Sequence, residues 1–185
     1  DYRFAPHSTR VLWQMEGNLG LIFEDSRALG TVRIGERESI VQPVAGSLGP
    51  DPLSEDFSAA RFIAAARKTR QPIKLFLMDQ KRIAGLGNIW AAEALFAAGI
   101  HPERIAAGIS AARLGRLHTA IGEVLAVASK AAAKAYERPG FYAEEEAALL
   151  AVYGHEGDPC RRCRAAIRRI RQGGRSTCFC PRCQR

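Results

Sequence analysis

No apolar run in this sequence approaches the roughly 18 residues that a membrane-spanning helix needs. The first twenty residues, DYRFAPHSTRVLWQMEGNLG, lack the charged and apolar regions of a secretory signal. The chain therefore reads as cytoplasmic. Internal repeats are missing too, which argues against a solenoid, and low-complexity sequence is confined to alanine-rich stretches. The most informative absence is of acids at one end. From Pro159 to Arg185 there are arginines at 161, 162, 164, 168, 169, 171, 175, 182 and 185 and not one Asp or Glu. That tail carries +9, more than the +8 of the whole chain, so everything before it sums to about −1. Charge concentrated in one short Arg-only segment is what a phosphate-binding surface requires.

What is present is an ordinary globular composition, 47% apolar and 25% charged over 185 residues, enough for one sizeable core or two smaller ones. The first residue is Asp rather than Met, so the sequence reads as beginning partway through a longer gene product. Residues 1–45 read as extended: RVLWQM, LGLIF and TVRI are short apolar or alternating runs parted by turn-like EGN, EDSR and GERE. Three strands make a poor independent core, so this stretch is expected to be the end of a larger β-domain. Residues 46–53, with the Gly- and Pro-rich GSLGPDP, read as a linker.

From Ser54 the pattern turns helical over 54–150. Ser54 is the expected N-cap of a first helix, and Pro72 opens a second over IKLFLMDQKRI. GLGN precedes a third, IWAAEALFAA, stopped by Gly99 and Pro102. A fourth begins near Ser110, with Leu114, Leu117, Ile121 and Val124 on one stripe, and a short AEEEAALLAVY helix precedes the cysteines.

Four of the five cysteines fall as Cys160-x2-Cys163-x16-Cys180-x2-Cys183. Each CxxC places two thiolates one Zn–S geometry apart, and two such knuckles complete a tetrahedron. Disulfides are the structural alternative, which a reducing compartment disfavours. Cys178 is left over and reads as a small buried hydrophobe rather than a ligand. Residues 151–185 thus form a zinc finger, its strands folding around Gly173-Gly174, with Arg175 at the turn where a guanidinium can reach a phosphate. A merely solvated hairpin arginine is the plainer reading. The second constellation is Asp79 to Glu93, DQKRIAGLGNIWAAE. Two glycines permit a tight turn, and Asn88 starts a helix whose first N–H groups are free for an anion. An ordinary packing corner between helices would also want Gly and Asn.

These residues together resemble a known family. Ile73-Lys74, Asp79 to Glu93 and the following ALFAAGIHP are similar to the helix–two-turn–helix signature of the formamidopyrimidine-DNA glycosylase and endonuclease VIII family. Tyr153 to Cys160, the cysteine spacing and the closing Cys183-Gln184 resemble its zinc finger, and Leu48 to Leu53 its interdomain segment. The resemblance implies an α+β fold: the remnant of an N-terminal β-sandwich, a helical helix–two-turn–helix domain and a C-terminal β-hairpin zinc finger. It implies a base-excision DNA glycosylase/AP lyase acting on oxidised bases. The partner implied is double-stranded DNA holding a damaged base or abasic site, bound by a monomer, with zinc as cofactor and nucleoid association when bound.

Residue by residue, the resemblance makes Asn88 and Arg175 the grip on phosphates flanking the lesion and sets Lys74 near the bound backbone. Asp25 to Gly30, DSRALG, is similar to the family's Asp-Pro-Arg-Arg-Phe-Gly loop. Arg27 would face the base orphaned by flipping, with Leu29 in place of an aromatic wedge. The family's nucleophile is an N-terminal proline followed by a glutamate for proton transfer, and this chain begins Asp1-Tyr2. No catalytic residue is therefore expected within it. The stretch between Lys130 and Tyr142 is shorter than the Gly-Gly-Ser/Thr-Thr loop of members specialised for oxidised purines, which leaves the preferred base open. A non-catalytic zinc-containing nucleic-acid module, or a zinc-ribbon adaptor for an acidic protein, is the alternative.

Overall fold

A computed structural model describes residues 8–136 and 149–185. The chain divides into two compact units, 1–46 and 47–185. In the first, β1 (Thr9–Gln14) and β2 (Gly20–Glu24) pair antiparallel, with Leu12 opposite Ile22 and Trp13 opposite Leu21. The expected third strand is not formed. Residues 31–34 are exposed and irregular, and the chain instead turns into helix α1 (Arg37–Ala45), which holds Pro43 inside it. The alternation of TVRI needs a strand edge to pair with, and among the described residues β1 and β2 pair only with each other. Glu36 then starts the helix, its carbonyl accepting the Ser39 and Ile40 N–H groups and the Ser39 hydroxyl.

Among its described residues the second unit holds four α-helices and a hairpin. Helix α2 (Ala59–Arg67) begins four residues later than expected, because Ser58 is the residue whose hydroxyl caps it, accepting from the Arg61 N–H at 3.4 Å. Ser54 is engaged earlier, its hydroxyl donating to the Asp51 carbonyl at 2.8 Å. Helix α3 spans only Ile73–Leu77. It stops there because Asp79 and Gln80 satisfy the following backbone with their side chains. Asp79 accepts the Lys81 N–H, and the Gln80 amide donates to the Met78 and Leu86 carbonyls and accepts from Gly85.

The expected linker segment lies on this loop. The Gly49 N–H donates to the Gln80 carbonyl at 2.8 Å, and the Ala84 N–H donates to the Pro50 carbonyl at 3.0 Å. A Cβ at Gly49 would stand 2.4 Å from the Arg82 carbonyl carbon, so only glycine permits this approach.

Helix α4 (Asn88–Ala98) ends at Gly99, where the Ile100 N–H returns to the Leu95 carbonyl. Helix α5 (Ala111–Tyr136) carries the predicted stripe, with Leu114, Leu117 and Ile121 fully buried. The short AEEEAALLAVY helix lies mostly outside the described residues, as does the second half of the stretch between Lys130 and Tyr142; Ala151 and Val152 are bends and Tyr153 a turn. No helix of the described residues is long and apolar enough to cross a membrane.

Two apolar clusters flank α4. One face gives Ala91, Ala94 and Leu95 to the helical core around Phe62, Phe76, Leu86 and Leu117. The other gives Ala92 and Phe96 to a smaller cluster with Val152, Ile167, Cys178 and Cys180. A helix apolar on every side is one buried on every side. In the finger, β3 (Arg168–Gln172) pairs antiparallel with β4 (Arg175–Phe179). Gly173 and Gly174 both take positive φ, 54° and 76°, which is the two-residue turn that lets the strands keep their twist.

Candidate nucleic-acid interface and metal centre

The Sγ atoms of Cys160, Cys163, Cys180 and Cys183 all lie within 4.8 Å of one another, and no other His, Cys, Asp or Glu cluster of this kind occurs among the described residues. Cys160 and Cys183 stand 3.9 Å apart and Cys163 and Cys180 3.4 Å, near the roughly 3.8 Å edge that a tetrahedron of about 2.3 Å Zn–S bonds would have. The knuckles turn their backbone toward sulfur, the Arg162 N–H to Cys160 and the Cys183 N–H to Cys180, each at 3.4 Å. Burial opposes ionisation of Cys160, but the N–H groups of Cys163 and Arg162 and the adjoining thiols outweigh it and bring that thiol down to about 7. Burial and the surrounding thiols push Cys183 up to about 12. Four thiols converging within 4.8 Å cannot all ionise side by side unless a cation stands among them, and a divalent metal meets that need. Cys178 is buried in the apolar cluster and stands outside this set, as its position in the sequence suggests.

The loop after α3 and the finger hairpin meet at the start of α4. The first backbone bond inside α4 runs from the Ala91 N–H to the Gly87 carbonyl, so the N–H groups of Asn88, Ile89 and Trp90 precede the ladder and point out of the helix end. The Asn88 amide nitrogen donates to the Ser176 carbonyl on β4 at 3.0 Å. Its amide oxygen accepts from the Lys74 ammonium at 2.5 Å. Lys74 also donates to the Thr177 hydroxyl at 2.5 Å and approaches the Ser176 carbonyl at 3.5 Å. Arg175, next to Ser176 and opposite Gln172 in the ladder, is exposed and makes no ion pair among the described residues.

The structure thus brings Lys74, Asn88 and the residues beside Arg175 to one place. Lys74 is fully buried, with its ammonium shared among three neutral oxygens and no carboxylate. Burial therefore dominates its titration and pushes it down to about 8, with Cys178 opposing and the Arg175 guanidinium adding to the shift. Its bond to the amide oxygen orients the Asn88 side chain. Arg27 belongs to the other unit. It is exposed in a loop tied by Asp25, whose carboxylate accepts the Arg27 N–H at 3.1 Å and the Gly30 N–H at 2.5 Å. Those bonds, Gly30 first, hold the Asp25 carboxyl below its usual range.

Several anchoring residues escape a reading of the sequence. Glu93 is buried, and its carboxylate accepts the N–H groups of Ala151, Val152 and Tyr153 at 2.8, 3.0 and 2.9 Å, fixing the entry of the finger to α4. The signal was there: it is the only ionisable residue in NIWAAEALFAA. Arg162 is not free for a phosphate. It lies 4.4 Å over the Phe96 ring and donates to the Phe96 and Ala97 carbonyls at the end of α4. Gln184 closes the same end, donating to the Ile100 carbonyl at 2.9 Å while its oxygen accepts the Cys180 N–H.

Comparisons with known proteins agree with this construction. The model of the formamidopyrimidine-DNA glycosylase H2TH domain matches residues 48–138, and that of a zinc finger found in FPG and IleRS matches residues 157–185. With four converging thiols, the finger match identifies zinc as the metal. A formamidopyrimidine-DNA glycosylase of Marinobacter nauticus is 43% identical over 150 residues, covering 77% of this chain and 54% of its own. The crystal structure of the MutM (Fpg) protein from Thermus thermophilus is similar at 36% identity and a TM-score of 0.78, over 97% of this chain and 70% of that one. The Lactococcus lactis Fpg in complex with abasic-site DNA is similar at 33% identity and a TM-score of 0.84, over 98% and 69%. The chain spans 54% and 66% of the length of the first two curated relatives it matches.

Proposed function

The chain belongs to the formamidopyrimidine-DNA glycosylase family, and from that premise we propose that it is the part of a DNA glycosylase/AP lyase that grips oxidatively damaged duplex DNA. In this reading the parts are the end of a β-domain over 1–45, a connecting segment over 46–53, the helix–two-turn–helix domain over 54–150 and the zinc finger over 151–185. The observation that carries the proposal is the bond from Asn88 to the Ser176 carbonyl. It sets the open N–H groups of α4 beside Arg175, so two anion-binding elements from distant parts of the chain face one place.

In this reading the N–H groups at the α4 end and the Arg175 guanidinium take phosphates on either side of the damaged nucleotide. The Lys74 charge supports them from behind, and the metal holds the hairpin at the required distance. Arg27 in the other unit meets the base left unpaired. Relatives bound to abasic-site and Fapy-dG DNA support this substrate class. The protein acts in the cytoplasm as a monomer on nucleoid DNA.

The test is a titration of the chain with an abasic-site duplex at several salt concentrations. Arg175→Ala is expected to weaken binding about tenfold and to lower the salt slope by about 0.9, one phosphate's share. Asn88→Ala should weaken binding comparably with little change in slope, because it carries no charge. Wild-type affinity from both variants overturns the assignment.

A further inference from the structure

The grip just proposed uses one side of the hairpin turn, and the other side carries charge with no assigned purpose. We propose that Arg169, Arg171 and Ser176 form a second phosphate-binding groove on the outer strand of the finger, continuing the hold along the same DNA backbone beyond the lesion. The inference rests on the reading above and extends it.

Alternation along β3 puts Arg169 and Arg171 on one face of the hairpin, and the ladder sets Arg171 opposite Ser176 on β4. A shallow groove of about 480 Å3 runs over this face, lined by both arginines, Ile170, Gly174, Ser176 and Glu156. Its chemistry is that of an anion site: two forked guanidinium donors, a hydroxyl and an unobstructed glycine turn. Residues two apart on a strand lie roughly 6.6 Å from one another, a spacing that lets two guanidinium groups take neighbouring phosphates of one strand.

Two further observations fix the partner and the direction. Arg171 makes no ion pair among the described residues. Arg169 pairs with Glu156 at 2.7 Å, but both side chains are half exposed, 53% and 51%, so the pair is a weak one that a phosphate can displace. Ser176 is common to both sites. Its carbonyl receives Asn88 and Lys74, while the residue also lines the groove. The groove therefore begins one residue's thickness from the first grip, and a backbone leaving Arg175 can pass over the turn onto β3.

Three proteins decide the matter on two DNAs: the Arg169→Ala/Arg171→Ala double variant, Glu156→Gln and, as a control for the first grip, Arg175→Ala. The DNAs are an abasic-site duplex with long arms and one whose arms end within a few base pairs of the lesion. On the long duplex the double variant is expected to lose about tenfold in affinity and about 1.8 in salt slope, two phosphates' share. On the short duplex it should stay within about twofold of wild type, and Glu156→Gln should tighten only the long duplex by about two- to threefold, since a competing carboxylate is gone. Wild-type binding of the double variant to both duplexes, or an equal loss on both, overturns the groove. An unchanged double variant beside a weakened Arg175→Ala overturns the groove alone, whereas an unchanged Arg175→Ala overturns the first grip. Binding of an acidic polypeptide in place of the long arms, lost in the double variant while the DNA arms make no difference, also counts against it.

Discussion

The helical region and the finger meet along α4 but are held together by different means. Among the described residues the helical region buries seventeen in one continuous cluster, including Phe62, Phe76, Leu95, Leu117 and Ile121. The cluster under the finger has seven, of which Ala92 and Phe96 come from α4 and two are cysteines of the metal set. A region with that little apolar surface cannot offset the entropy of ordering its loops, so the metal supplies the balance. One side of the interface thus rests on burial, and the other on coordination.

Metal removal is the largest way to separate the two. Structural zinc in finger peptides supplies about 10–16 kcal/mol of apparent folding free energy at neutral pH. Chelation is expected to unfold residues 151–185 and abolish lesion-DNA binding, while α2 to α5 keep their helical signal and a cooperative thermal transition. Simultaneous collapse of the helices would show that the finger is part of their core rather than an attachment to it.

A smaller effect is expected at the joint. Glu93 holds three N–H groups of the segment entering the finger. Glu93→Gln keeps one acceptor oxygen and turns an amide donor toward a backbone donor, at a cost of about 1–3 kcal/mol. If Glu93 matters because it aims the finger, the variant retains zinc and weakens DNA binding. Combined with Arg175→Ala it should then add little, since the misplaced finger has already lost that contact. Additive losses in the double variant would reduce Glu93 to a general stabilising role.

This division also marks what the sequence could reveal. The four-cysteine spacing is legible because ligand chemistry constrains it regardless of fold, and GLGN because its first glycine, Gly85, takes the positive φ of a turn just before the helix. The long helix α5 shows its stripe for the same kind of reason. The contacts that make the site were not legible. Lys74, Asn88 and Ser176 are separated by 14 and 88 positions and meet only through packing. TVRI has a strand's alternation but no strand edge, and the residues after it became a helix despite Pro43. Helix α3 is short because the side chains of Asp79 and Gln80 compete for its backbone, a local contest that apolar periodicity does not register. The count of nine arginines also overstated the free charge, since Arg162 is occupied at the end of α4.

The finest test of the comparison lies at Lys74, which belongs to the helical side but reaches into the hairpin. Its pKa falls from 10.5 to about 8, with burial the main cause. Below pH 8 the folded and unfolded chains both hold the proton, and folding bears the cost of burying the charge. Between pH 8 and 10.5 the unfolded chain holds more protons than the folded one, so this residue's contribution to stability becomes less unfavourable as pH rises. DNA affinity should move the other way, because a neutral Lys74 no longer supports the anion site from behind Asn88. Raising the pH from 7 to 9.5 is expected to weaken abasic-duplex binding about threefold and to lower the salt slope by a fraction of one unit. Thermal stability in the same range should rise relative to Lys74→Met, which has no proton to lose. If Lys74→Met shows the same pH dependence of binding as wild type, the buried charge contributes nothing to the grip. The coupling between the two regions then lies wholly in the Asn88–Ser176 bond and the Glu93 joint.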